Sequence, residues 1–482
     1  MTRTAIPAPP PASQAGQGPG SPHADLRASV DQRPMTRFQW SVIGLCMVLN
    51  MIDGFDVLVM AFTASAVSAH WGLGGAQLGF LLSAGLFGMA AGSLLIAPWA
   101  DRFGRRPLIL ACLAVSGLGM LGSAWSQSAM QLAALRVVTG LGVGGILACS
   151  NVIASEYASQ RWRSLAVTLQ STGYALGASI GGSIAVWLLG RYDWRAVFLF
   201  GGAVTLGVLL LACWRLPESM DFLLARRPAG ALPRLQALAR RLGLAVPQAL
   251  EPQPVVAAGG ARGPLPLFAP GLRRATVLVW LSFFAVMFGF YFVMSWTPRL
   301  LAAAGLTPEQ GVTGGVLLSL GGILGATLLG LLAARYPVHR ALAGFMLATA
   351  VLLCFLVSNP GSLLLSYALA FLIGVFVNGC VAGLYAIAPM VYGGEVRVTG
   401  VGWGIGVGRI GAIVSPMVAG TLLDASWSAS QLYVGYGAAF VFAACIVSLH
   451  RLPAPLARSA APDRPLPAVA RHASIAHSKE TP

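Results

Sequence analysis

Twelve apolar stretches follow one another along the chain with short polar segments between them. The first six lie near 39–66, 77–100, 106–126, 129–155, 164–190 and 194–215. The second six lie near 275–298, 310–334, 340–357, 362–391, 399–424 and 429–450. A helix needs about 20 residues to cross roughly 30 Å of hydrocarbon, and each stretch is close to or above that length. The pattern predicts an all-α membrane protein with twelve transmembrane helices in two sets of six. Between the sets, residues 217–272 are polar and proline-rich, which predicts a linker with one short basic helix near 231–243. Residues 1–37 are rich in Pro, Ala, Gly and Ser and hold no apolar run that could serve as a signal peptide. The expected organisation is a disordered tail over 1–37, a six-helix bundle over 38–216, the linker over 217–272, a second bundle over 273–452 and a disordered tail over 453–482.

Composition agrees with the pattern and orients it. A mean hydropathy of +0.75 with 56% hydrophobic and 10% charged residues is too apolar for a soluble chain, where charged residues run near a quarter. The net charge of +16 could suggest a nucleic-acid partner, but the basic residues are arginines spaced between apolar runs, with Lys479 the only lysine. No nucleic-acid partner is expected. Basic residues favour the cytoplasmic side. With the N-terminus inside, 26 of them fall on that side and only Arg191, Arg195 and Arg299 on the other. Both termini are therefore expected in the cytoplasm. The seven cysteines are scattered singly in or beside apolar runs, which indicates neither a disulfide framework nor a zinc site, and no cofactor is expected.

The halves echo one another. TGLGVGG from Thr139 in span 4 is similar to IGVFVNG from Ile373 in span 10, and the loops after them place Glu156 with Arg163 and Glu395 with Arg397. Spans 5 and 11 are both laced with glycine. Spans 4 and 10 cross in the same direction, so the halves are expected to be parallel repeats about an axis along the membrane normal.

Ionisable residues within hydrocarbon are expensive and usually mark a pathway. At 1.5 Å per residue, Asp53 and Asp56 lie about 20 to 26 Å into span 1, Arg136 about 10 Å into span 4 and Arg409 about 15 Å into span 11. These depths converge on the middle and outer layers of the membrane. Asp53 and Asp56 are three residues apart and share a helix face, where two carboxyls in a low-dielectric cavity favour one of them taking up a proton. The plainer alternative is that one of them is only a counter-ion to Arg136. Arginine stays charged and grips carboxylates in a two-pronged manner, so Arg136 and Arg409 are candidates for an organic anion, unless they merely tie helices together. Tyr174, Tyr291, Trp296, Asn378, Tyr385 and Trp403 could stack on or hydrogen-bond a ring, although such residues more often pack the bundle or form interfacial belts.

The loop after span 2, APWADRFGRRP from Ala97, resembles the signature of the major facilitator superfamily at Asp101, Arg102, Gly104, Arg105 and Arg106, and departs from it at Ala97 and Trp99. DGFD at Asp53–Asp56, RVVTGLGVGG from Arg136, Glu156 and Tyr157, Arg163, SWTP from Ser295 and TGVGWGIGVGRIGAI from Thr399 resemble its aromatic acid:proton symporter family more narrowly. This likeness covers roughly residues 36–452. It implies the major facilitator fold, a monomer in a bacterial inner membrane, and proton-coupled import of an aromatic carboxylate by alternating access. Asp53 and Asp56 would carry the proton and Arg136 and Arg409 the substrate. Asp101, Arg102, Gly104, Arg105, Arg106, Glu156, Arg163, Glu395 and Arg397 would gate the cytoplasmic mouth, with Asp101 pairing to Arg163 in the outward-facing state. The loop between spans 8 and 9, AARYPVHRAL, has no counterpart of Asp101.

Other functions fit less well. Muconate or nicotinate would suit the same cavity. Drug/proton antiporters of the superfamily tend to carry a proline in span 5 where this chain has Ala178. A chemosensor would need a signalling domain, which the short tails lack. An enzyme is not indicated, because no metal cluster, nucleophile elbow or phosphate loop is present.

Overall fold

The computed structural model describes residues 29–244, 246, 265–270, 272–333, 335–358, 362–392 and 396–449. Twelve of its helices are long and apolar enough to cross a membrane. We number these α1 to α12: Arg37–Trp71, Gly75–Phe103, Arg105–Ala124, Ala129–Tyr157, Arg163–Leu189, Arg195–Arg215, Arg273–Ala303, Pro308–Ala333, Val338–Ser358, Leu363–Val391, Arg397–Asp424 and Ala429–Ser448. Local chemistry sets many of their starts. Thr36 and Gln39 form a reciprocal capping box before α1, Ser428 and Gln431 do the same before α12, and Ser128 caps α4. Within α2, a π turn over Gly92–Ile96 and a 3-10 turn over Ala97–Trp99 surround Pro98, whose ring and missing N–H disrupt the regular ladder there.

The packing is two-fold. In the first half α1 packs on α4, α5 and α6, α2 on α4, and α3 on α4 and α6. Each contact has its counterpart six helices later: α7 on α10, α11 and α12, α8 on α10, and α9 on α10 and α12. Between the halves α2 packs on α11 and α5 on α8, which exchange under the same operation, while α1 meets α7 at the axis.

These inter-half seams are closed on the side away from the linker. At the start of α2, a Cβ on Gly75 would strike the Gly420 carbonyl of α11, and one on Gly79 would strike Pro416, so only glycine permits this approach. The Asp424 carboxylate at the end of α11 accepts hydrogen bonds from the N–H groups of Gly75 at 2.6 Å and Ala76 at 2.8 Å. It places a negative charge from one half on the positive helix start of the other. Ser83 Oγ of α2 donates to the Ile413 carbonyl of α11 at 2.7 Å, and within the second half the Trp296 indole N–H of α7 donates to the Pro416 carbonyl of α11 at 3.2 Å. Toward the linker the halves separate. Gly402 and Gly406 of α11 face open space, and Tyr385 and Trp403 are exposed. A central cavity therefore opens on the linker side.

The expected linker helix is present as Ala231–Leu242, an amphipathic helix that turns Leu235, Leu238 and Leu242 inward. A second one, Met220–Arg226, was not expected; Ser219 caps it by accepting from the Phe222 N–H at 3.1 Å, and Phe222, Leu223 and Leu224 anchor it. The leader also departs from expectation before residue 37. Residues 29–32 are helical, Val30 is buried in one cluster with Leu242 and Leu244, and Asp31 pairs with Arg163 at 2.5 Å. Val30, the Asp31–Arg163 pair, the Arg33 guanidinium donating to the Gly243 carbonyl and Met35 packed beside Ile43, Ala158 and Ala166 dock this segment. Most of 1–37, much of the linker and the tail over 453–482 lie outside the described residues.

Candidate functional site

Of the four charged residues read as intramembrane, Asp56 and Arg136 share one neighbourhood, Arg409 occupies a second, and Asp53 does not line the cleft of the first. Asp56 and Arg136 share a cleft between α1, α2 and α4 with Val57, Leu86, Met89 and Val143. Arg136 is 2% exposed, and its Nη2 donates to Thr139 Oγ1 at 2.9 Å and contacts Met120 Sδ at 3.2 Å and Ser123 Oγ at 3.4 Å. Its guanidinium also lies 5.1 Å from the centre of the Phe198 ring. Asp56 is within electrostatic reach of Arg136. The two are nonetheless not joined as an ion pair, and both carboxylate oxygens of Asp56 are buried without a hydrogen-bond donor among the described residues.

Arg409 occupies the other neighbourhood, half-buried on α11. Its charge acts on the phenols of Tyr174 from α5, Tyr291 from α7 and Tyr385 from α10, so it sits among aromatic hydroxyls supplied by both halves. Among the described residues it makes no ion pair. Tyr291 also packs on the Leu86, Met89 and Val143 patch that walls the Asp56–Arg136 cleft, which makes the two neighbourhoods contiguous. Tyr385 meets Phe283 edge-on, with ring centres 5.8 Å apart. An anionic group with a flat apolar body suits this surface: a cation for the charge, phenols for polar substituents and ring edges for stacking.

Other expected ligand residues lie elsewhere. Trp296 is fully buried in the closed α7–α11 seam and does not face the cavity in this state, because its indole N–H is drawn to the carbonyl of Pro416. Asn378 donates to the Gly374 carbonyl of its own helix at 3.0 Å and packs against Gly322 of α8. Trp403 stacks on Trp280 near the linker-side mouth, with ring centres 6.0 Å apart.

The loop after α2 forms a tight network with residues that the loop motif alone does not reveal. Gly104 has φ +102°, and a Cβ there would strike the Glu218 carboxylate. Both strain and space thus require glycine. Glu218 Oε1 accepts from the N–H groups of Arg105 at 2.9 Å, Arg106 at 3.1 Å and Ser219 at 2.9 Å, a carboxylate seated on the start of α3. The Arg105 guanidinium pairs with buried Glu156 and donates to Ser219 Oγ at 2.5 Å, while Ser219 Oγ donates to Glu156 Oε2 at 2.7 Å. Asp101 is exposed, 3.8 Å from Arg105, and Arg163 is engaged by Asp31, so Asp101 and Arg163 are not paired here. Arg102 lies over the Phe103 ring and Arg106 donates to the Cys213 carbonyl at 2.7 Å. Arg397 donates to the Tyr392 carbonyl at 3.4 Å; Glu395 lies outside the described residues. Glu218 and Ser219 belong to PESMDFL, the stretch from Pro217 that follows the end of α6.

Residues 44–357 match the sequence profile of the Major Facilitator Superfamily. The chain is 32% identical over 423 residues to the 4-hydroxybenzoate transporter PcaK of Pseudomonas aeruginosa, covering 86% of this chain and 93% of that protein. It is 35% identical to the gallate transporter of Pseudomonas putida over 83% of this chain and 89% of that one. Among solved structures, a crystal structure of a D-xylose-proton symporter superposes with a TM-score of 0.68 at 17% identity, covering 86% of this chain and 98% of that one.

Proposed function

Since this chain belongs to the major facilitator superfamily and is similar to those two relatives, we propose that it imports an aromatic carboxylate together with protons by alternating access. The observation that carries the reading is Arg409, a permanent cation within the membrane whose described surroundings hold three phenols and no paired anion. An unpaired cation at such depth costs at least about 2.5 kcal/mol, which a bound carboxylate offsets. Arg409 grips the carboxylate, with the aromatic ring against Tyr174, Tyr291 and Tyr385. Arg136 holds the facing wall positive, and protonation of Asp53 or Asp56 compensates for the charge that the substrate brings in. The protein acts as a monomer in a bacterial inner membrane with the linker and both termini in the cytoplasm, so the open cavity is inward-facing. The closed network around Arg105 belongs to the gate on that side.

A counterflow assay of reconstituted protein against benzoate, hydroxybenzoates, muconate, nicotinate and a sugar tests the substrate class. Hydroxybenzoates or benzoate should exchange and the sugar should not; exchange of the sugar alone would reject the reading. Orientation is tested separately in a cysteine-free background. Gln127→Cys, exposed between α3 and α4, should react with an impermeant thiol reagent in sealed cells, and Arg161→Cys, exposed between α4 and α5, should react only after lysis. The reverse pattern would invert the topology.

A further inference from the structure

Asp53 and Asp56 share a helix but not an environment. Asp56 faces the cleft that also holds Arg136. Asp53 is 2% exposed and does not line that cleft. On its own helix face, three residues earlier, is Asn50, 3% exposed. Asn50 uses its amide N–H to donate to the backbone carbonyl of Gln170 on α5 at 2.6 Å. Gln170 is fully buried and uses its own side-chain N–H to donate to buried Ser150 Oγ on α4 at 3.3 Å. Both amides are thus oriented by their donors, and their oxygens, Asn50 Oδ1 and Gln170 Oε1, have no hydrogen-bond partner among the described residues. Neither has either carboxylate oxygen of Asp53. Asn50 Oδ1, Gln170 Oε1 and the two Asp53 carboxylate oxygens are thus four buried acceptors of the first bundle with no donor on them among the described residues, apart from the Asp56 oxygens in the cleft with Arg136. Leaving buried acceptors unmade costs about as much as breaking hydrogen bonds already formed.

We propose that this group is the proton site of the transporter: Asp53 carries the transported proton and donates it as a hydrogen bond to the amide oxygens of Asn50 and Gln170, while Asp56 serves as the charge partner of Arg136. The inference rests on the proton-coupled reading above and divides its two carboxyls. One proton on Asp53 turns one of its own oxygens into an O–H donor, whose hydrogen bond the amide oxygens can accept. A charged Asp53 would instead stand beside two amide oxygens with no cation in contact. The titratable groups within electrostatic reach of it are Asp56 on its own helix, Cys112 on α3 and Tyr174 on α5, while Arg136 acts on Asp56. The packed helices α2, α6 and α8 carry their charged residues only at their ends, at Asp101, Arg102, Arg195, Arg215 and Glu309. Asn50 and Gln170 are positioning residues that tune how readily the proton is held.

The test is the infrared C=O stretching band of protonated carboxyl groups in purified full-length protein in lipid nanodiscs at neutral pH, without substrate. The band should vanish in Asp53→Asn, persist in Asp56→Asn, and move to higher frequency in both Asn50→Leu and Gln170→Leu as the hydrogen bond to the carboxyl weakens. In proteoliposomes, the same two amide variants should shift half-maximal proton-driven uptake to lower pH by about 0.5 to 1 unit, because losing an acceptor disfavours the protonated form. Their substrate affinity at low pH should stay within about twofold. A band that follows Asp56 and not Asp53 would overturn the division of roles while leaving proton symport standing. Loss of the band on replacing choline chloride with sodium chloride would assign the four oxygens to sodium and overturn the proton site. Because the band is read without substrate, failure of the aromatic-acid reading in counterflow would leave this result interpretable.

Discussion

Arg409→Ala is expected to abolish saturable binding of aromatic carboxylates, the largest functional loss from any single change in the cavity. The guanidinium is the cavity's one cation not already held by protein groups among the described residues: Arg136 is wrapped by Thr139, Ser123, Met120 and the Phe198 ring, whereas Arg409 makes no ion pair there and acts on the phenols of Tyr174 and Tyr291. Arg409→Lys retains the charge but loses the planar fork, so affinity should fall by about 10- to 150-fold, corresponding to the roughly 1.5 to 3 kcal/mol of a charged hydrogen bond. Ester and amide analogues should bind the unmodified protein poorly, since they offer no anion. The check is calorimetric affinity in purified protein for both variants and both analogues. A neutral ester that binds as tightly as the free acid would remove Arg409 from the site.

Arg105→Ala is expected to cause the largest loss of stability. Glu156 is 2% exposed and takes the Arg105 guanidinium directly, with Ser219 Oγ on its second oxygen. Removing one member of a buried ion pair typically costs about 3 to 5 kcal/mol, because the remaining charge stays buried. Arg163→Ala provides the contrast. It breaks a pair with Asp31 whose side chains are 34% and 22% exposed, and solvent screening holds that loss to about 1 kcal/mol or less. Thermal inactivation of the two purified variants beside the parent should therefore separate widely. Equal midpoints would show that the Arg105–Glu156–Ser219 network contributes no more than a surface pair.

The expectations that survived contact with the structure are those that a single physical quantity decides. Apolar length alone identifies twelve spans. It does not place their ends: α1 continues past residue 66 to Trp71, where Gly72 in the left-handed conformation stops it, and α7 continues through Pro298 to Ala303. Charges in hydrocarbon stand out at any depth, which is why Asp53, Asp56, Arg136 and Arg409 were visible as candidates. Which of them meet was not legible, because it depends on how neighbouring helices are rotated. The same rotation decides whether an aromatic lines a cavity or a seam, and it sends Trp296 into the seam with Pro416. Asn50 and Gln170 gave little signal, since lone amides in apolar helices usually satisfy themselves locally; only the pairing of α1 with α5 brings the two together. Glu218 was hidden for a similar reason. Its role comes from reaching the start of α3 across more than a hundred residues of chain.

Proton-coupled import of an aromatic acid is most directly tested by following protons and substrate together. Proteoliposomes loaded with a pH-sensitive dye and held without an imposed gradient receive 4-hydroxybenzoate from outside in a buffer free of sodium. The interior should acidify as labelled substrate enters, the acidification should stop in Asp53→Asn, and a protonophore should abolish accumulation driven by an imposed gradient. Substrate entry with no proton movement, or entry that requires sodium, would contradict the mechanism.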